Sequence, residues 1–259
     1  MKNIFYIFKR ELGSYFISPV AYVILTVFLG LSGWFFYNIL AGFIQYTLQM
    51  DQQSAYYGVQ SGVNVNMMMI RQQFHNMAII AVFMIPMITM RLIAEEKKTG
   101  TIELLMTSPI TPIQWILGKY FAGFILYTAM ITLAFIPIFL LFLFGNPEFW
   151  PVISGYIGLL FLGGAFLSCG LLISSFTENQ IIAAAVSFSI FLFLWVIDWI
   201  SSSLSYTWSS VIKYLAIVSH FDDFSKGIID SKSVIFFLSF IIFGIFLTYR
   251  SIDSVRWRM

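Results

Sequence analysis

The sequence predicts an all-α integral membrane protein with six transmembrane helices. Three observations lead there. Of 259 residues, 59% are apolar and only 10% charged, against about 25% charged in a soluble domain. So few charges could not cover a water-facing surface without large apolar patches. Six stretches are long and apolar enough to form helices of about 20 residues, the length that a bilayer core demands. Lysine and arginine are also unevenly divided among the segments between those stretches. A net charge of +2 without a basic domain argues against nucleic acid as a partner. The single cysteine, Cys169, excludes an intrachain disulfide and any multi-cysteine metal site.

Residues 1–18 read as an interfacial helix. Ile4, Phe8, Leu12 and Phe16, with Phe5 and Tyr15, share one helical face, while Lys2, Lys9 and Arg10 lie elsewhere. Such a helix lies in the headgroup plane with its basic side turned to lipid phosphates. The spans follow at 19–40, 72–90, 120–144, 151–174, 181–200 and 233–249. They are continuous apolar runs rather than alternating ones, which favours helices over barrel strands. The second span begins with polar Gln72, Gln73, His75 and Asn76, and is strongly apolar from Met77 to Met90. In the fifth, Asp198 sits between Trp195 and Trp199. The tryptophans place it at the outer interface, where a carboxylate reaches water; a proton relay within the hydrocarbon is the alternative. With the N-terminus inside, ten of the fourteen Lys and Arg residues fall on inner segments, leaving Arg71, Lys213, Lys226 and Lys232 outside. That asymmetry puts both termini in the cytoplasm. No internal repeat or linker divides the chain, so residues 1–259 read as a single transmembrane domain.

The connecting segments carry their own signals. The outer segment 41–71 is long and polar, Asn146-Pro147 marks a tight turn, and 201–232 is long and partly amphipathic. Thr111-Pro112-Ile113-Gln114 and Thr177-Glu178-Asn179-Gln180 each have the spacing of a capping box at a helix start. Pro86 and Pro137 predict bends in the second and third spans. Gly158, Gly163, Gly164, Ser168 and Gly170 predict a fourth helix that packs closely on its neighbours. Gly118-Lys119 lacks the upstream glycine and following hydroxyl of a phosphate-binding loop, so nucleotide hydrolysis is not expected of this chain. No catalytic, cofactor or metal site is assigned. His220, Asp222 and Asp223 read as solvated loop residues rather than as a cation site.

The inner segment 91–119 is the most informative. Gly100 interrupts the charged extension of the second span, a short helix runs from Thr101 to Thr107, and Ser108-Pro109 stops it. Ile102, Leu105 and Met106 give it an apolar edge, with Glu103 on another face. That shape suits a knob docking in the groove of a soluble partner, and equally an interfacial turn lying on lipid.

Two motifs carry a family resemblance. Glu95 to Lys119 reads E-E-K-K-T-G-T-I-E-L-L-M-T-S-P, then L-G-K. Ser219 to Asp230 fits S-x-x-x-x-F-x-x-G-[IV]-[IL]-D. With the helix number and loop lengths, these resemble the ABC-2-type transporter permeases over nearly the whole chain; the narrower likeness is to the gliding-motility-associated permease subgroup. The resemblance implies two permease chains, identical or related, paired in a bacterial inner membrane above separate ATP-binding cassette ATPase subunits. It makes the short helix between spans two and three a cytoplasmic coupling helix. Gly100, Thr101, Glu103, Leu104 and Leu105 then become ATPase contacts, with Glu95 and Glu96 the acidic pair before them. Short re-entrant helices are implied before helix six, carrying Ser219, Phe224, Gly227 and Asp230. The expected function is export or movement across the membrane driven by a partner's ATP hydrolysis. The polar length of 41–71 leaves room for an extracytoplasmic accessory protein. The alternative function is accordingly a mechanotransmitter that drives an envelope partner and moves no substrate.

Overall fold

A computed structural model describes residues 2–57, 65–103, 110–201, 214 and 216–256. Ten helices follow one another among these residues. They are α1 (Lys2–Ile17), α2 (Pro19–Tyr57), α3 (Arg71–Thr89, entered through a π-helical turn at Asn66–Ile70), α4 (Ala94–Lys98), α5 (Pro112–Leu133), α6 (Ile136–Phe144), α7 (Phe149–Ser174), α8 (Gln180–Ser201), α9 (Ile217–Ser225) and α10 (Ser231–Arg256). Six helical segments have the length and apolarity to cross a bilayer: α2, the π-turn with α3 and α4, α5 with α6, α7, α8, and α10. The all-α, six-span membrane architecture therefore holds.

α3 and α7 form the buried spine, while α2, α8 and α10 turn most of their surface outward. Trp34 and Tyr37 on α2, Phe193 on α8 and Phe243 on α10 are all exposed, a surface that lipid rather than water would cover. The small residues of α7 each meet a neighbour, as their spacing predicts. Gly158 lies under Phe224 of α9, Gly170 under Thr89 of α3, Ser168 against Gly244 of α10, and Gly164 beside Tyr120. Gly163 lies under the ring of Tyr127, whose hydroxyl donates to the Leu159 carbonyl at 2.9 Å. A side chain at these glycines would hold the helices apart; their absence lets backbone and aromatic rings touch.

Several boundaries depart from the sequence expectation. α2 does not stop near Leu40 but runs to Tyr57, through residues that read as an outer loop. Its 39 residues span about 58 Å at 1.5 Å per residue, about twice the bilayer core. Of the two prolines, only Pro137 breaks its span. Lacking an N–H to bond Leu133, it separates α5 from α6 at Ala134-Phe135, whereas α3 runs through Pro86. Neither capping box forms. Thr111 occupies the cap position of α5 without a side-chain cap bond, and Gln114 instead accepts from Asn3 Nδ2 of α1 at 3.3 Å. At α8 the cap is Asn179, whose Oδ1 accepts the N–H of Ile181 at 2.9 Å, while Thr177 accepts the N–H of Asn179 at 3.1 Å. Asn179 stands directly before the first turn of α8 and its amide oxygen reaches it, whereas Thr177 lies two residues too early.

The polar start of the second span is also explained. Gln73 is fully buried and donates to Ser32 of α2 through its side-chain amide, at 3.1 Å to the carbonyl and 2.9 Å to the hydroxyl. Asn66 pairs twice with the backbone of Glu148, each bond 3.0 Å, and so pins the Asn146-Pro147 turn to the π-turn.

Candidate functional site: two charged clusters at opposite ends of the bundle

α1 lies across the first turns of α5. A Cβ on Gly118 would fall 2.7 Å from Ile7 Cγ2, so only glycine lets the two helices approach this closely. The next residue, Lys119, is 2% exposed and sits at the centre of a buried ion cluster. Its Nζ lies 3.2 Å from Glu11 Oε1 and 3.0 Å from Glu96 Oε1. Arg10 Nη2 closes the group at 2.7 Å from Glu11 and 3.2 Å from Glu96. The Trp115 ring lies 5.4 Å from the same Nζ, within reach of a cation–π contact. Lys119 lies buried between the two carboxylates, and Arg10 completes the charge balance from the exposed side of the cluster. Three elements far apart in the chain are thereby joined: α1, α4 and α5.

Further bonds fix α4 in place. It has no cap of its own; Ser174 of α7 supplies one, its Oγ accepting the N–H groups of Ile93 at 3.1 Å and Ala94 at 3.0 Å. Lys97 Nζ donates to the Ser175 carbonyl at 2.6 Å. Arg91 pairs with Glu95 at 3.2 Å and donates to Ser18 Oγ at 3.1 Å, at the α1–α2 junction. Tyr15 donates to the Ile88 carbonyl at 3.1 Å. A cleft of about 510 Å³ runs between α1 and α4, bordered by Arg10, Glu11, Arg91, Glu95, Glu96, Thr101 and Lys119.

The predicted inner residues divide into two groups. Glu96 is turned inward to Lys119, with its side chain 14% exposed, so its carboxylate is already engaged within the chain. Glu95 is more open and pairs with Arg91. Gly100 terminates α4 with φ +73°, donating its N–H to the Lys97 carbonyl at 3.2 Å, the left-handed helix end that favours glycine. Thr101, Ile102 and Glu103 form a helical turn beyond it. Ile102 is buried, while Thr101 and Glu103 are exposed. Leu104 and Leu105, like the rest of 104–109, lie outside the described residues. Lys119 was not singled out as a site residue by its sequence. The signal for it was a lone lysine beside a glycine at the head of a long apolar run, a position that requires a carboxylate from elsewhere.

The opposite end is organised around α9. Phe224 is fully buried over Gly158 and against the rings of Phe161 and Phe237. Gly227, at φ +88°, ends the helix in a Schellman motif. Its N–H donates to the Phe224 carbonyl at 3.1 Å, and that of Ile228 to the Asp223 carbonyl at 3.0 Å. Asp230 begins α10, its Oδ1 accepting the Lys232 N–H at 3.1 Å. Ser219 donates to the Ala216 carbonyl at 2.8 Å. These four motif residues thus shape a helix–turn–helix. Asp198 is half-buried near the end of α8.

His220 corrects the expectation of solvated loop residues. It is 8% exposed, stacked on Phe236 at 4.2 Å, and bonded to the Tyr214 carbonyl at 2.9 Å and to Ser233 Oγ at 3.1 Å. Packing of α9 onto α10 encloses it. Asp222 faces the other way and receives Arg71 at 2.7 Å, Lys226 at 2.6 Å and His75 at 3.3 Å. Burial works against its ionisation, but the hydrogen bonds from His75, Lys226 and Arg71 outweigh it and hold the carboxyl well below the usual range. A depressed folded value means that this carboxylate's stabilisation is complete above its unfolded value of about 3.9 and is lost as pH falls through the lower folded one. Asp222→Asn should therefore speed amide hydrogen exchange across Ile217–Ser225 about tenfold at neutral pH. The advantage of the wild type should persist at about pH 4 and shrink only in stronger acid. Equal exchange in the two proteins at neutral pH would remove this carboxylate from the account of how α9 is held.

The hydroxyl–imidazole contact at the α9 end, Ser233 Oγ with His220 Nδ1 at 3.1 Å, is buried between α9 and α10. Both clusters tie together elements far apart in the chain, the first joining α1, α4 and α5. The family described as ABC-2 family transporter protein matches residues 6–232. That segment runs from α1 into the first turn of α10 and contains both clusters. The match is to the family as a whole and does not single out the gliding-motility-associated subgroup. No curated protein matches the chain.

Proposed function

The chain belongs to the ABC-2 family of transporter proteins, and on that premise we propose that it is a non-catalytic permease subunit worked by ATPase subunits docked at the α4 end of the bundle. The observation that carries this reading is the buried Lys119–Glu96–Glu11–Arg10 cluster directly behind the exposed turn at Thr101 and Glu103. A docking turn alone could move without consequence. A docking turn tied by buried charges to a surface helix and to the third span cannot.

In this reading two such chains pair in the bacterial inner membrane with both termini cytoplasmic, consistent with the lysine and arginine asymmetry. ATP binding closes the cassettes and presses on Thr101–Glu103. Gly100 passes the movement to α4, and Lys119 passes it to α5. The break at Ala134-Phe135 then lets α6 reorient separately from α5. A ligand that favours one of two conformations by a few kcal/mol is enough to move a near-balanced pair.

Glu103→Arg tests the docking assignment. The tagged chain, purified from native membranes in mild detergent, should retain an ATPase near stoichiometry. The variant should insert normally but lose at least about tenfold in ATPase affinity, since like or mismatched charge at a contact costs several kcal/mol. Unchanged retention and stimulation of the ATPase would sink it.

The length of α2 favours a second reading, in which the complex passes movement to an envelope protein and carries no substrate. About 28 Å of that helix lies beyond what a bilayer core of about 30 Å can cover. In the same purification, an envelope protein retained by the wild type and released on deleting Asp51–Val63, with any transport abolished alongside, would support it. Transport preserved without that protein would count against it.

A further inference from the structure

Arg10 is only partly engaged by the cluster it serves. Its contacts to Glu11 and Glu96 both run through Nη2, which leaves Nε and Nη1 without a partner among the described residues, and the side chain is 56% exposed. The same residue borders a second, open groove of about 700 Å³ along the outer side of α1, lined also by Tyr6, Lys9, Ser14, Ile17 and Ser18. Lys9 is exposed and has no ion-pair partner among the described residues. Basic groups and hydroxyls therefore share the groove with Tyr6, 68% exposed, and Ile17, 87% exposed. A small anion would leave the apolar part uncovered, and a neutral lipid would leave the cations unmatched. An amphiphile with an anionic head satisfies both. The groove also ends at Ser18, where the first span begins at Pro19, so an acyl chain can continue along α2 into the bilayer.

We propose that this groove on α1 is a binding site for the phosphate of an anionic phospholipid, held by Lys9, the free donors of Arg10 and the hydroxyl of Ser14. Because Nη2 stays on Glu11 and Glu96 while Nε and Nη1 take the phosphate, the lipid completes the buried cluster rather than competing with it. Leaflet composition then sets how firmly α1 is fastened to α4 and α5. The site stands independently of any ATPase.

The test uses the full chain, purified in neutral detergent, with phosphatidylglycerol, phosphatidylcholine or inorganic phosphate added. Melting temperature and retained lipid, the latter by native mass spectrometry, are read together. Phosphatidylglycerol should raise the melting temperature by about 5 °C once it exceeds its dissociation constant about 100-fold, and one lipid per chain should survive in the spectrum. Phosphatidylcholine and inorganic phosphate should do neither. Lys9→Ala, which leaves the buried cluster intact, should require roughly fivefold more phosphatidylglycerol for the half-maximal shift; Ser14→Ala should move the titration the same way. Equal shifts from the two lipids, an unchanged titration in Lys9→Ala, or a full shift from inorganic phosphate alone would overturn the proposal.

Discussion

Lys119→Met should lower the midpoint of thermal inactivation in detergent by roughly 10 °C, the loss expected when removal of one partner leaves buried charges uncompensated at about 3–5 kcal/mol. The reason is local. Lys119 is 2% exposed between Glu11 and Glu96, and without it the two carboxylates face one another with Arg10 as the remaining cation. Adding Glu96→Gln to Lys119→Met removes one of the opposed charges and should recover a substantial part of the loss. Measured as a double-mutant cycle, the Lys119–Glu96 coupling should exceed about 1 kcal/mol, the ceiling for an exposed pair. A smaller value would mean that water reaches the cluster and that it cannot bind α1, α4 and α5 into one unit. On the proposed reading, permease function should suffer more than stability does, because the same residue connects the turn at Thr101 and Glu103 to α5.

Gly163→Ala should be the most damaging single-methyl change in the bundle. Its Cβ would fall 2.0 Å from Tyr127 Cε1, a distance no side chain tolerates, and Tyr127 is itself fully buried with its hydroxyl bonded to Leu159. Overpacking of this kind costs about 1–3 kcal/mol and sometimes more, and displacing the ring also forfeits its hydrogen bond, worth about 1 kcal/mol. Gly42→Ala on α2, where nothing lies within 4 Å of the added carbon, is the matched control and should be neutral. Folded yield by size-exclusion chromatography separates the two. Comparable yields would show that α5 and α7 have room between them and that α7 is not the close-packed spine.

The spans were legible because a bilayer imposes a hydropathy signal about 20 residues long, and because α7 advertises its contacts in glycines. The long extension of α2 gave no such signal. Gln45, Gln49, Asp51 and Gln52 read as a loop, although a helix leaving the membrane has no reason to be apolar. The turn between α9 and α10 was legible at Phe224, Gly227 and Asp230 because each of them acts locally, one filling the space over α7, one ending a helix and one beginning the next. The inner cluster was only half visible. Glu96 stood out in a charged run, but its partners come from α1 and α5, and a pairing across so much chain is decided by packing rather than spacing. The same holds for the start of α8, where Thr177 has the spacing of a capping box but Asn179 bonds the first turn.

The unbroken course of α2 has a mechanical consequence. A rod of about 58 Å, held part-way along at Ser32 by Gln73 of α3 and with its far end carried to Tyr57, has the geometry of a lever arm. A tilt of about 10° about Ser32 would sweep the tip through about 6 Å while Pro19 moved by about 3 Å. A small rearrangement around Ser18 and Arg91 would thus emerge amplified on the opposite side of the membrane.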